Sequence, residues 1–220
     1  VKSALLCALA SGPKHGFDRA GAREPFAARF YDQRHAVPQA LHAVERNRRL
    51  AAAALGYAAQ GDCDYGLRAM GEAPIEVRPP FALLLTMTSR GDKLWPEEHW
   101  RSLAAALEAR GLQSVFPWGS EQERRRCARI AAGIRGALVP RQMTLAELAR
   151  LMRHARVAAG VDTGLAHLAA ALGVPAVGIY CGSDPALTGL YGSERARNLG
   201  DSGKAPAAKE VLEALELLLR

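Results

Sequence analysis

Three short stretches of this chain carry residue types able to bind an anionic ligand. The first is Asp162-Thr163-Gly164, with His167 one turn further on. It follows the apolar run 156–160 and opens an apolar helical pattern over 165–172. A strand that turns directly into a helix leaves the first helical N–H groups unpaired, and the positive end of the helix dipole adds to their pull on a phosphate. The second stretch is 86–93, Thr-Met-Thr-Ser-Arg-Gly-Asp-Lys, which offers hydroxyls and two cations after another apolar run. A diphosphate needs such donors, with a charge that gains value as the leaving group separates; Lys93 fits that role. The spaced glycines of a P-loop are missing. The third stretch is 117–123, with Glu121 and Glu123. A carboxylate after a strand can accept both hydroxyls of a ribose. Glu123 is the first choice, and Glu121 stays open. Plainer readings exist for each: Asp162 as an N-cap, His167 as a structural helix residue, the two glutamates as carboxylates favoured by a helix dipole.

The elements that position these residues follow from hydrophobic period and breakers. Apolar runs at 81–85, 113–116, 136–139, 156–160 and 176–180 read as strands. Between them lie helical patterns at 96–110, 121–132, 144–154 and 165–172, with Pro96 in a first turn and Thr144-Leu145-Ala146-Glu147 as a capping box. Strands alternating with helices at this spacing predict an α/β fold, a parallel sheet with helices on both faces. In such sheets the ligand sits at the carboxyl ends of the strands, where 86–93, 117–123, 140–143, 161–167 and 181–189 converge. The first third reads as helices and polar loops: a helix ended by Gly12-Pro13, a short one near 26–31, and a long one from Pro38 to Gly56. Three prolines within 72–80 mark a linker. The predicted parts are therefore 1–77, 78–206 and a leucine-rich C-terminal helix, 207–220.

Composition narrows the class. The 220 residues are 49% apolar, enough for a sizeable core. Lys and Arg number 29 against 22 acidic residues, a net charge of +7, which suits a nucleotide, a nucleic acid or an acidic membrane surface. Nucleic acid is disfavoured, because no basic stretch is interleaved with stacking aromatics. Cys7, Cys63, Cys127 and Cys181 lie far apart with no metal-ligand spacing and read as free thiols of a reducing, cytoplasmic compartment. No run reaches the ~18 apolar residues of a spanning helix. The chain opens on Val1-Lys2-Ser3 inside an apolar pattern, so a truncated or processed N-terminus is expected.

Taken together, Thr88-Ser89-Arg90-Gly91-Asp92-Lys93-Leu94-Trp95-Pro96-Glu97-Glu98-His99-Trp100, Pro117-Trp118-Gly119 and Val161-Asp162-Thr163-Gly164-Leu165-Ala166-His167-Leu168 resemble the lipopolysaccharide heptosyltransferases of glycosyltransferase family 9. Lys2-Ser3-Ala4, Lys14-His15-Gly16, Ala22-Arg23-Glu24-Pro25 and His42-Ala43-Val44-Glu45-Arg46 agree, so the resemblance covers nearly the whole chain. It implies a GT-B fold of two Rossmann-like domains, the first of them partial here. It implies inverting transfer of L-glycero-D-manno-heptose from ADP-heptose to Kdo of a lipid A precursor, at the cytoplasmic face of the inner membrane, with no metal and no cofactor. By position, Thr88, Ser89 and Lys93 hold the diphosphate and Glu123 the ribose. Met143 lies by the adenine, and Asp162, Thr163, Gly164 and His167 line the phosphate and heptose. Arg23 faces the acceptor. The family's early glycine-rich turn and catalytic aspartate have no counterpart in the sequence. No residue is therefore assigned as the base, Asp18 and Glu24 lacking support, and weak activity of this chain alone is expected. The alternatives are a non-catalytic nucleotide-binding remnant and a related family member with a different acceptor.

Overall fold

The computed structural model describes residues 2–220. They divide into two compact units: residues 2–62 with 186–188, and residues 63–185 with 189–220.

The first unit holds α1 (Lys2–Ala8), β1 (His15–Phe17), a 3-10 turn over Pro25–Phe30, β2 (Gln33–His35) and α2 (Ala43–Leu55). β1 and β2 pair in parallel, with His15 opposite Gln33 and Phe17 opposite His35. Sequence reading leaves both as loops, because three-residue strands carry no readable period. The long helix begins at Ala43 and not at Pro38. The backbone of His42 is extended, and its ring Nδ1 accepts the N–H of Val44 at 3.2 Å, so this side chain caps the helix. Loop 18–25 is fixed from several sides. Asp18 accepts the Gly21 N–H at 2.6 Å, and the Gln39 amide donates to the carbonyls of Ala20 and Ala22 at 2.8 and 2.9 Å.

The second unit is an α/β sandwich. Its elements are β3 (Phe81–Leu85), α3 (Glu97–Glu108), β4 (Gln113–Val115), α4 (Glu121–Ala131), α5 (Leu145–His154), β5 (Val157–Val161), α6 (Gly164–Ala171) and β6 (Ala176–Tyr180), then β7 (Ala196–Gly200) and α8 (Ala208–Leu219); the short α7 (Pro185–Thr188), between β6 and β7 in the chain, falls almost wholly in the first unit. The sheet order is β4-β3-β5-β6-β7, and every neighbouring pair is parallel. β3, β5 and β6 are buried on both faces, which is why they read as unbroken apolar runs. Side-chain alternation sorts the core into two layers. Ala82 and Leu84 face Trp100, Leu103, Ile130 and Leu215 of α3, α4 and α8. Phe81, Leu83 and Leu85 face Leu151, Met152, Ala166 and Ala169 of α5 and α6.

Two expectations change. Residues 136–139 make only one bridge, Leu138 to Val115, because Gly133 and Gly136 both turn through positive φ and bend the chain out of an extended path. β7 is an additional strand; its polar sequence, Ala-Arg-Asn-Leu-Gly, suits a half-exposed edge and hides the strand period. The proline-bearing stretch 72–80 lies within the second unit, and α8 packs into the same core.

Leu84 is fully buried at the centre of the sheet. Leu84→Ala is expected to lower the unfolding free energy of the second unit by about 2–5 kcal/mol, measured by urea denaturation.

Candidate functional site

The strand order reverses between β3 and β5, since β4 lies outside β3 while β6 and β7 continue beyond β5. A crevice opens at such a switch point, outside the carboxyl ends of the two strands. The loops that leave β3 and β5 are residues 86–93 and the turn Asp162–Thr163. Sequence spacing singled out these two, and the fold brings them together. The Thr88 hydroxyl donates to the Asp162 carbonyl at 3.0 Å, and Lys93 Nζ lies 2.5 Å from Asp162 Oδ2.

Close backbone approach makes this possible. A Cβ on Gly160, near the end of β5, would sit 3.0 Å from the Cβ atoms of both Ala166 and Leu85, so glycine there lets α6 lie against β5 and β3 without either neighbour giving way. A Cβ on Gly182, in the loop after β6, would meet the Asp92 carbonyl oxygen at 2.7 Å. That glycine lets a third strand-end loop join the site. The loop contributes Ser183, whose hydroxyl donates to Asp162 Oδ2 at 2.6 Å. Sequence reading placed the loop 181–189 at the site but did not single out Ser183. A hydroxyl three residues past the end of β6 was the available signal.

Asp162 is thus a nearly buried carboxylate with several donors. His167 Nε2 lies 3.6 Å from Oδ1, longer than a good hydrogen bond. Burial by itself would push this carboxyl up, but the pull of His167, Lys93 and Ser183 is larger and holds it well below the usual carboxylate range. A carboxylate so stabilised is a poor proton acceptor, which argues against Asp162 as a general base.

α6 starts at Gly164 with Thr163 as its N-cap, and the Thr163 side chain makes no capping hydrogen bond. The neighbouring helices differ: Ser120 caps α4, and Thr144 with Glu147 forms a full capping box on α5. The first N–H groups of α6 thus lack the side-chain acceptor that its neighbours have, and a Cβ on Gly164 would meet nothing within 4 Å. This is an open anion position beside the ammonium of Lys93.

Next to it lies a cavity of about 330 Å³. Thr88, Ser89, Glu123, Met143 and Thr163, all singled out from sequence, line it together with Trp118, Leu145 and Leu148. The apolar end is built by Met143, Leu145 and Leu148. Its position is held by Trp118 Nε1, which donates to the Pro140 carbonyl at 2.7 Å, and by the Gln142 amide, which donates to the Gly119 carbonyl at 2.7 Å. Glu123 Oε2 accepts the Gly119 N–H at 2.7 Å, which fixes the carboxylate at the cavity wall. Lys93, Asp162, Gly164 and His167 are not among the residues lining this cavity. They are joined to it in the chain through Thr88 and Thr163. An apolar slot leading to an ionised, donor-rich end has the chemistry of a nucleotide bearing phosphates. Arg23 lies in the first unit, on a separate cavity of about 200 Å³ with Phe17, Glu24 and Tyr31.

A helix start without a side-chain cap at the switch point of a parallel sheet defines an α/β protein of the doubly wound class, with its crevice open to an anion. The chain belongs to glycosyltransferase family 9: the family described as glycosyltransferase family 9 (heptosyltransferase) matches residues 1–216. It is 42% identical over 199 residues to lipopolysaccharide heptosyltransferase 1 of Escherichia coli K12, covering 89% of this chain and 62% of that protein. It is 41% identical over 213 residues to the protein of the same name from Pseudomonas aeruginosa, covering 96% and 60%. The chain therefore spans about six tenths of the length of these curated relatives. Among solved structures it is similar to E. coli heptosyltransferase WaaC with ADP, at TM-score 0.83 and 36% identity over 99% of this chain and 69% of that one. It is likewise similar to the same enzyme with ADP-2-deoxy-2-fluoro heptose, at TM-score 0.79 and 37% identity over 98% and 69%. The α/β fold with parallel sheets is that of the GT-B heptosyltransferases.

The depressed Asp162 carboxyl has a pH consequence. A group whose folded pKa lies below its unfolded value of 3.8 adds stability that is complete above that value and is lost as the pH falls toward the folded one. Asp162→Asn is expected to cost about 1–3 kcal/mol near neutral pH by leaving Lys93 unpaired. The gap to wild type should close only below the ordinary aspartate range, read from urea midpoints across pH. A gap independent of pH in acid would contradict the assignment.

Proposed function

We propose that the second unit binds ADP-L-glycero-D-manno-heptose, and that the whole protein transfers the heptose, with inversion, to Kdo of a lipid A precursor in lipopolysaccharide synthesis. The observation that carries this reading is the uncapped start of α6 beside the Lys93–Asp162 pair, at the switch point of the sheet. In this reading the open N–H groups around Gly164, the hydroxyls of Thr88 and Ser89, and Lys93 receive the diphosphate. Glu123 accepts the ribose hydroxyls. Met143, Leu145 and Leu148 cover the adenine. Asp162 and His167 meet hydroxyls of the heptose, and Thr163 lines the turn between sugar and phosphate.

Transfer breaks the bond from the anomeric carbon to the diphosphate while the acceptor hydroxyl attacks from the opposite face. Negative charge grows on the departing phosphate oxygen, and preorganised donors aimed at it lower the barrier. In this reading Lys93, held by Asp162 at 2.5 Å, turns from the carboxylate to the phosphate as that charge grows. The charge is supplied by this lysine and the helix N–H groups, so the reading needs neither a metal ion nor a cofactor. Arg23 is the proposed contact to the anionic acceptor. The base that takes the acceptor proton is a group other than Asp162. No helix among the described residues is long and apolar enough to cross a membrane. Peripheral attachment at the cytoplasmic face of the inner membrane is the placement that fits a lipid-linked acceptor.

Calorimetry with ADP tests the donor half of this proposal. Lys93→Ala should weaken ADP binding by about tenfold or more, the value of one charge-assisted phosphate contact. An RNA oligomer should give no comparable heat. Unchanged ADP affinity in Lys93→Ala would overturn the donor assignment.

A further inference from the structure

A second cavity, of about 450 Å³, lies on the other side of the loop that leaves β3. Met87 lines both cavities, so this loop is their shared wall. The second cavity has a different chemistry. Gln122, Arg125, Arg126 and Arg129 line it from α4, at spacings of three, four and seven residues, which is one face of a helix. Met87 and Leu94 give it an apolar side, and Glu121 stands at its rim.

The guanidiniums here outnumber the carboxylates that could neutralise them. Glu97 is shared by Arg126 at 3.2 Å, Arg129 at 2.8 Å and Arg101 at 3.9 Å. Glu121 is shared by Arg124 at 2.7 Å and Arg125 at 3.3 Å. Arg125, Arg126 and Arg129 line the cavity, and the two carboxylates that meet them are shared with Arg101 and Arg124 outside it, so positive charge is in excess. Arg126 is also largely buried, with 14% of its side chain exposed, and its Nε is a buried donor that reaches no protein acceptor. A buried, unpaired N–H on a charged group is costly. Arg126 lines the cavity, while its Nη atoms are held by Glu97 at 3.2 Å and the Trp95 carbonyl at 2.7 Å, which fixes the guanidinium in place. Arginine forks match phosphate oxygens two at a time, and closely spaced arginines on one helix face suit a single tetrahedral anion.

From this geometry we infer that the Arg125–Arg126–Arg129 face of α4 is a second phosphate site, separate from the donor cavity, which takes a phosphate ester with an apolar portion laid against Met87 and Leu94. The inference goes beyond the donor reading, since none of these arginines has a part in holding ADP-heptose. Two sources share this chemistry: a small soluble phosphate and the headgroup of an acidic phospholipid.

The 220-residue chain, with ADP in saturating excess, would be titrated with inorganic phosphate. Separately, it would be floated with phosphatidylcholine vesicles, with and without phosphatidylglycerol. A saturable response to phosphate, or retention by the phosphatidylglycerol vesicles alone, is expected. Either should fall about tenfold in the double variant Arg125→Gln/Arg129→Gln, through loss of two charge-assisted contacts, and should survive in Lys93→Ala. A response to phosphate alone assigns a soluble ester; retention on acidic vesicles alone assigns a headgroup. Both side chains are largely exposed, so the double variant should fold and keep wild-type ADP affinity, which separates failure of this site from failure of the donor site. Neither response in the wild type, or responses that persist undiminished in the double variant, would overturn the inference.

Discussion

The carboxylate of Asp162 is a charge that the fold nearly buries, and a buried charge must be met by donors or it unfolds its surroundings. Here the donors arrive from different strand ends. Lys93 comes from the loop after β3 and Ser183 from the loop after β6, while Asp162 itself follows directly on β5 and His167 sits on the next helix. Three loops far apart in sequence are thereby locked into one surface. The close approaches at Gly160 and Gly182 are the steric condition for that lock. With a side chain at either position, α6 or the β6 loop would have to shift away from the site.

The lock also determines how charge is laid out around the cavity. Lys93 is neutralised by Asp162, so the protein does not present an unpaired cation, yet its ammonium remains next to open helix N–H groups. The capping pattern sharpens this contrast. α4 and α5 satisfy their first turns with Ser120 and with the Thr144–Glu147 box, whereas α6, at the switch point, does not use its N-cap side chain. The cost of an uncapped helix start is borne at the position where an anion would relieve it. The apolar end of the cavity, by contrast, is ordinary core continued outward: Met143 and Leu148 belong to the same packed layer as Leu85 and Ala166.

Much of this was legible in the residue order, and the reasons are specific. β3, β5 and β6 are buried on both faces, so their apolar runs stand out, and the capping box at Thr144 announces α5. Loops at the carboxyl ends of parallel strands must converge, which placed Thr88, Ser89, Lys93, Glu123 and Asp162 near one another before any coordinates. Other elements left no such trace. β7 is a polar edge strand, β1 and β2 are three residues long, and residues 136–139 are apolar enough for a strand but bent by Gly133 and Gly136. The arginines of α4 read as a solvated helix face, because sequence spacing cannot reveal that a cavity lies beside them.

The sequence by itself determined the parallel α/β architecture, the donor-bearing loops and the family, because periodicity and short motifs are local properties of the chain. Only the tertiary structure decided how those loops share charge. It paired Lys93 with Asp162, recruited Ser183, left α6 uncapped, and enclosed Arg126 with too few carboxylates around it. Such pairings depend on distances between residues up to about ninety positions apart, from Lys93 to Ser183, and on how much water packing removes from between them. Neither quantity is written in the order of the residues.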